Sequence, residues 1–390
     1  MLCFLQYLRR LALLSIALLF SLSLYAQPTI DLGMGWNMGN QMDAFRRDVA
    51  REGAWGNPRA TRATFRGVRE AGFTSVRIPI TWMGHIGAAP DYTIQEQWLE
   101  RVAELVGYAE QEGLKVIINL HHDGADDDHW INIKRAVCDD AAREQIAAQI
   151  AAVWRQIAER FRDKGEFLMF ESFNEIHDGD WGHGANRTDG GRQYAILNEW
   201  NQLFVDVVRS VGGENSTRYL GVPSYSANDE CAIEGFVMPN DSVEDRLLLS
   251  IHYYYPHDYT LENKYDEWGY MSSTNSGSHS DELQMDAFFS RIKEHFLDRG
   301  IMVYIGEFGC SRRRDASKEA MRQYYLESFC RRAGYHSLPI FLWDNGVRRG
   351  GRESHGYLDH ATGKFIGNGE LMVAAMAAAY AEGCQSSGEE

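Results

Sequence analysis

Short apolar or β-branched runs recur along the chain at residues 32–38, 73–80, 115–120, 167–170, 219–222, 247–251, 301–305 and 339–343. Each is a few residues long and nearly unbroken, the pattern of a parallel strand buried on both faces. Longer stretches with helical spacing lie between them. Residues 95–112 put Trp98, Leu99, Val102, Leu105, Val106 and Ala109 on one face and stop at Gly113, a C-capping residue. Residues 141–161 do the same with Ile146, Ile150, Val153, Trp154 and Ile157. Helices are also predicted at 290–297, at 316–333 with Gly334 closing it, and at 371–381. The stretch 263–280, rich in Ser, Gly, Asn and Tyr, predicts a long loop after the sixth strand.

Eight strands alternating with helices predict a single α/β domain of the (β/α)8 TIM-barrel class. An open doubly wound sheet would bind a nucleotide where its strand order reverses. Here Gly39-Asn40-Gln41-Met42-Asp43 follows the first strand, not a glycine-rich phosphate turn. Residues 1–26 stand apart. Arg9 and Arg10 precede an apolar run at 11–24, and Tyr25-Ala26-Gln27 follows, the layout of a secretory signal peptide cut after Ala26. A membrane anchor is the alternative, because the run is near the short limit for a spanning helix. No Cys follows the cleavage point, which argues against a lipid anchor. The reading is therefore a secreted or periplasmic monomer whose single domain spans 27–390 and ends in a short polar tail.

Composition narrows the partners. The 390 residues carry a formal net charge of -16, which disfavours nucleic acid and anionic membranes and fits a neutral substrate. Five cysteines follow the signal: Cys138, Cys231, Cys310, Cys330 and Cys384. They form no CxxC and cannot all pair within one chain, so they are read as small hydrophobes.

The chemistry collects where the strands end. Arg77 closes the second run, Asn119, His121, His122 and Asp123 the third, and Asn174 and Glu175 the fourth. His252 and Tyr254 follow the sixth, Glu307 the seventh, and Trp343, Asp344 and Asn345 the eighth. Two glutamates thus end strands four and seven, facing across one barrel mouth. A lone buried carboxylate is costly. A pair with opposed pKa values is what glycoside hydrolysis needs, one carboxyl protonating the leaving oxygen while the other acts at the anomeric carbon. Trp55, Trp130, Trp181 and Trp268 fall in loops as possible sugar platforms or as loop packing. His121, His122, Asp123, Asp126, Asp127, Asp128 and His129 could be read as metal ligands, but no HExxH or EF-hand spacing accompanies them. The acidic triplet is read as a solvated loop, and the site as free of metal and organic cofactor.

The stretches GWNMGNQMDAF, WGNP, GFTSVRIPITW, VIINLHHD, FESFNEIHD, IHYYYP, IGEFG and FLWDNG occur in this order with strand-like spacing. Together they resemble glycoside hydrolase family 5, of the endoglucanase (cellulase) type, from about Gly33 to Asn345. The resemblance implies a retaining endo-β-1,4-glucanase acting on cellulose-like or mixed-linkage glucans, with Glu175 as acid/base and Glu307 as nucleophile. It implies that Asn174 holds the sugar 2-hydroxyl and that Trp343 is the aromatic floor. It further implies that Arg77, His121, His122, His252 and Tyr254 line the site, and that Asn40 and Asp43 bind the next sugar. Arg77 and Tyr254 are expected to favour ionised Glu307, whose charge would keep Glu175 protonated. Xyloglucanase, lichenase and mannanase activities within the family, or a carbohydrate-binding relative without turnover, are the alternatives. No linker or binding module is read after Asn345, so grip on substrate is assigned to the cleft.

Overall fold

The computed structural model describes residues 30–124, 129–270, 272–273 and 278–387. Residues 1–26, read as the signal peptide, and Asp126, Asp127 and Asp128 lie outside the described residues. From Asp31 onward the chain forms one compact unit. Eight parallel strands close into a barrel in sequence order: β1 (Met34–Met38), β2 (Ser75–Ile78), β3 (Lys115–Asn119), β4 (Leu168–Glu171), β5 (Leu220–Pro223), β6 (Leu247–Tyr253), β7 (Met302–Phe308) and β8 (Ile340–Asp344). β1 closes the ring by pairing with β2 on one side and β8 on the other. Eight principal helices follow the strands: α1 (Arg62–Glu70), α2 (Glu96–Gln111), α3 (Asp140–Arg160), α4 (Arg192–Val211), α5 (Asp229–Gly235), α6 (Ser280–His295), α7 (Glu319–Tyr335) and α8 (Gly369–Ser386).

The strands read as unbroken apolar runs because both of their faces are covered. In β6, Leu247, Leu249, Ile251 and Tyr253 join the outer core beneath the helices. Leu248, Ser250 and His252 alternate with them, which turns them toward the barrel axis. Bulky residues fit the axis only where a neighbouring strand offers glycine. A Cβ on Gly35 would lie 2.4 Å from the Phe341 ring, and one on Gly221 would lie 2.4 Å from the Tyr304 hydroxyl.

Near its end β7 breaks register. Ile305 pairs with Ile251, yet Glu307 pairs with His252, so two β7 residues oppose one on β6. This bulge places Gly306 and Glu307 on the inner side in succession, the kind of re-aiming that bulges supply beside active sites. The Asn37 amide takes up the Gly306 carbonyl at 2.8 Å.

Some expectations shift. Gly113 does follow α2, with φ +72°, and the Leu114 amide reaches back to the Ala109 carbonyl. Gly334, expected to cap α7, lies inside the helix, which continues to Tyr335. It is there because α8 crosses at that point: a Cβ on Gly334 would lie 2.2 Å from the Tyr380 carbonyl. α6 begins ten residues before the predicted 290, at Ser280. The five described cysteines are free thiols, with Cys231, Cys310 and Cys330 buried.

Candidate active site

Arg77 stands at the centre of the barrel mouth and is fully buried. Its guanidinium donates to Glu307 Oε1 at 2.8 Å, to Asn174 Oδ1 at 2.8 Å, to Asn37 Oδ1 at 3.1 Å and to Glu171 Oε2 at 2.8 Å. Such a planar fork can satisfy several acceptors at fixed angles. One side chain from β2 therefore aligns groups from β1, β4 and β7.

Tyr254 donates its hydroxyl to Glu307 Oε2 at 2.9 Å. His252 Nδ1 lies 2.7 Å from Glu175 Oε1 and 3.9 Å from Glu307 Oε2. A ligand atom from each of Glu175, His252 and Glu307 lies within 4.8 Å of the others, so carboxyl oxygens of the two glutamates approach within that distance. Burial pushes the Glu175 carboxyl up to about 7; Arg77 opposes this and the charge of Glu171 adds to it. Glu171 thus reinforces the shift of Glu175, and the repulsion expected between Glu175 and Glu307 is present as well, where it raises Glu307. Burial also raises Glu307, and the charge of Glu175 adds to this, with His252, Arg77 and the Tyr254 hydroxyl acting the other way. The two expected favourable contacts exist, but desolvation outweighs them. Burial likewise lowers His252 to about 4, so at neutral pH it is an uncharged hydrogen-bond partner.

His121 is buried, its Nε2 4.0 Å from Glu307 Oε1, and its ring lies parallel to Trp343 with centroids 6.0 Å apart. Gly39 permits Trp343 to lie flat, since a Cβ there would sit 2.7 Å from the indole. His122 Nε2 is 3.9 Å from Asp43 Oδ2. Asp43 itself is fully buried and accepts the backbone amides of Asn40 and Gln41 at 2.9 and 2.6 Å. It holds the loop after β1, the turn-forming role that short polar residues often have. Asn40, half-buried with φ +56°, sits at the head of that turn.

The four loop tryptophans divide. Trp55 and Trp181 are exposed, 43% and 54%. Trp55 packs its edge on Phe45 and approaches His122 at 5.5 Å. Trp181 stacks on His177 at 4.1 Å. Together with Glu175, His252, Tyr254 and Arg352, it lines a cleft of about 600 Å³. Trp268 is no platform: it is buried among Tyr324 and Tyr325. Trp130 donates its indole N–H to Asp123 at 2.7 Å, and Asp123 also accepts the Trp82 amide, so both are loop structure. Asp43, His121 and His122 also bring ligand atoms within 4.8 Å of one another. The two imidazoles are held neutral by burial, which suits hydrogen bonding to a neutral substrate.

Sequence reasoning missed Glu171. This fully buried carboxylate accepts from Arg77, from Asn119 Nδ2 at 2.8 Å, from Ser250 Oγ at 2.8 Å and from the Tyr304 hydroxyl at 2.6 Å. The signal was a charged residue closing an apolar strand four positions before Glu175.

Paired carboxyls at the mouth of a closed (β/α)8 barrel, ringed by amide, imidazole, phenol and indole groups, define a glycoside hydrolase. The family profile of cellulase (glycosyl hydrolase family 5) matches residues 37–348, and the chain belongs to that family. A GH5-4 broad specificity endoglucanase from Bacteroides salanitronis is 49% identical, covering 92% of this chain and 98% of that one, with a TM-score of 0.88. A family 5 xyloglucanase from Paenibacillus pabuli is 32% identical over 90% of this chain and 99% of that one, with a TM-score of 0.81. Endoglucanase A of Paenibacillus barcinonensis is 35% identical over 340 residues, 82% of each chain. The chain is thus a glycoside hydrolase of the endoglucanase, or cellulase, kind.

Proposed function

We propose that the protein is an exported, retaining endo-β-1,4-glucanase that cuts internal bonds of cellulose-like or mixed-linkage glucans by double displacement. The observation that carries this reading is the approach of Glu175 and Glu307 to within 4.8 Å. Retaining enzymes hold their carboxyls about 5–5.5 Å apart, whereas inverting ones leave room for a water between them. Glu307, fixed by Arg77 and Tyr254, attacks the anomeric carbon while Glu175 gives its proton to the departing oxygen. The glycosyl-enzyme then loses its sugar to a water that Glu175, now a base, deprotonates.

The surrounding groups serve this chemistry. Arg77 donates to the Asn174 carbonyl oxygen at 2.8 Å, which leaves the amide N–H free for the sugar 2-hydroxyl. Trp343 offers an apolar face to the pyranose. Trp55 and Trp181, on loops either side of the carboxyl pair, extend the platform. Residues 1–26 act as the export signal, and the reaction uses no cofactor.

The similarity to a broad specificity endoglucanase and to a xyloglucanase favours a second reading, in which branched glucans are also taken. Hydrolysis of defined cello-, mixed-linkage, xyloglucan and manno-oligosaccharides, followed by NMR, tests both. The first anomer released should retain the β configuration, and Glu307→Gln should abolish turnover while keeping oligosaccharide binding. An inverted first product rejects the nucleophile; cleavage of mannan alone rejects the substrate.

A further inference from the structure

We infer that Glu171 is a positioning residue: it holds Arg77 in line with Glu307 and Asn174, and its fixed negative charge keeps the shared proton on Glu175. This rests on the roles proposed above for the two glutamates. The geometry is closed on every side. Glu171 Oε1 accepts from Ser250 Oγ at 2.8 Å and the Tyr304 hydroxyl at 2.6 Å. Oε2 accepts from Asn119 Nδ2 at 2.8 Å and from Arg77 Nε at 2.8 Å, with Arg77 Nη2 2.7 Å away. Donors from β2, β3, β6 and β7 thus meet one carboxylate from β4, with no solvent access. Burial alone would neutralise such a group, but Arg77, with His252 and the Tyr304 hydroxyl, outweighs it and holds the carboxyl below its usual range.

The consequence lies in the charge balance. Arg77 bears one positive charge between Glu171 and Glu307, at 2.7 and 2.8 Å. With Glu171 ionised, the cation is already balanced when Glu307 is a carboxylate, and the net negative charge favours a proton on Glu175. With Glu171 neutral, Arg77 would draw protons off both members of the pair. The other groups facing Glu175 do not replace this control. His252 is neutral near pH 7, and Tyr254 keeps its proton. Asp180, His183, His257, Glu262, Arg352 and Glu353 line the outer cleft, where Arg352 pairs with Glu262 at 3.2 Å and with Glu353 at 3.3 Å.

The test is the pH profile of kcat/KM on an unactivated β-glucan oligosaccharide. In Glu171→Gln the basic limb should move down by about one pH unit, the usual scale of one removed neighbouring charge. Glu171→Asp keeps the charge but retracts the carboxylate. It should lower kcat through a displaced Arg77 while leaving the limb in place. A folded Gln variant with an unmoved limb, or an Asp variant with a shifted one, overturns the proposal. A 2,4-dinitrophenyl leaving group needs no proton, so with it the wild-type basic limb should disappear. If the limb persists, the assignment of Glu175 fails whatever Glu171 does. If it disappears but Glu171→Gln leaves the natural limb unmoved, only the role of Glu171 fails.

Discussion

The burial of Glu175 costs stability at neutral pH. Its carboxyl is pushed up to about 7, while an unfolded glutamate titrates near 4.3. Between those values the folded chain keeps a proton that the unfolded chain has released, so stability falls as pH rises through this window and stays reduced above it. The group is 17% exposed, which moderates the effect. Glu175→Gln should therefore match the wild type in urea unfolding at pH 4 and exceed it by about 2 kcal/mol at pH 8. Equal stabilities at both pH values would show that the shift is absent. Glu175 and Glu307 were readable from the sequence because they stand in the stretches FESFNEIHD and IGEFG, which resemble family 5 motifs and bring two carboxyls to one barrel mouth. Glu171 was not, because a carboxylate closing a strand looks like a strand end until the residues that donate to it, from four other strands, are brought together.

At the scale of elements, legibility follows burial. All eight strands could be placed because both faces of each are covered, which leaves an unbroken apolar run. Helices were harder. α1 offers few large apolar residues beyond Phe65 and Val68 on its buried side. α4 buries Gln193 and Asn201 among its apolar positions, which breaks the pattern, and α5 is only seven residues long. The β7 bulge leaves no mark in hydrophobicity, since the extra residue, Gly306, has no side chain. Gly334 misled for a related reason: glycine after an apolar helix reads as a cap, but a close helix crossing selects it equally well. Its partner surface is tight in both directions, because a Cβ on Gly383 of α8 would lie 2.0 Å from the Arg331 carbonyl of α7. Gly→Ala normally strengthens a helix by up to about 1 kcal/mol. Here the clash is with backbone, so Gly334→Ala should instead destabilise by about 2 kcal/mol or more, the range of overpacked cores. The check is a lowered thermal midpoint with unchanged KM; a raised midpoint would mean that α7 and α8 are not in this contact.

The whole molecule carries a net charge of -16, and its substrate cleft sits within that field. A net negative surface repels a polyanionic glucan and leaves a neutral one unaffected. Salt screens such repulsion, with a Debye length of about 30 Å at 0.01 M and about 8 Å at 0.15 M. On carboxymethyl cellulose, KM should therefore fall as ionic strength rises across this range, while kcat/KM on a neutral mixed-linkage glucan stays flat. The local arrangement supplies the opposing outcome. Arg314, Arg348, Arg349 and Arg352 are exposed on the loops after β7 and β8, and Arg352 lines the cleft beside Glu175. Of these, Arg348 pairs with Asp359, and Arg352 with Glu262 at 3.2 Å and Glu353 at 3.3 Å. If those pairs neutralise the rim, the global field governs and salt helps the anionic polymer. A KM on carboxymethyl cellulose that rises with salt would reverse the argument, placing recognition of the polymer on the arginine rim and making local charge, not net charge, the determinant of which glucans this barrel admits.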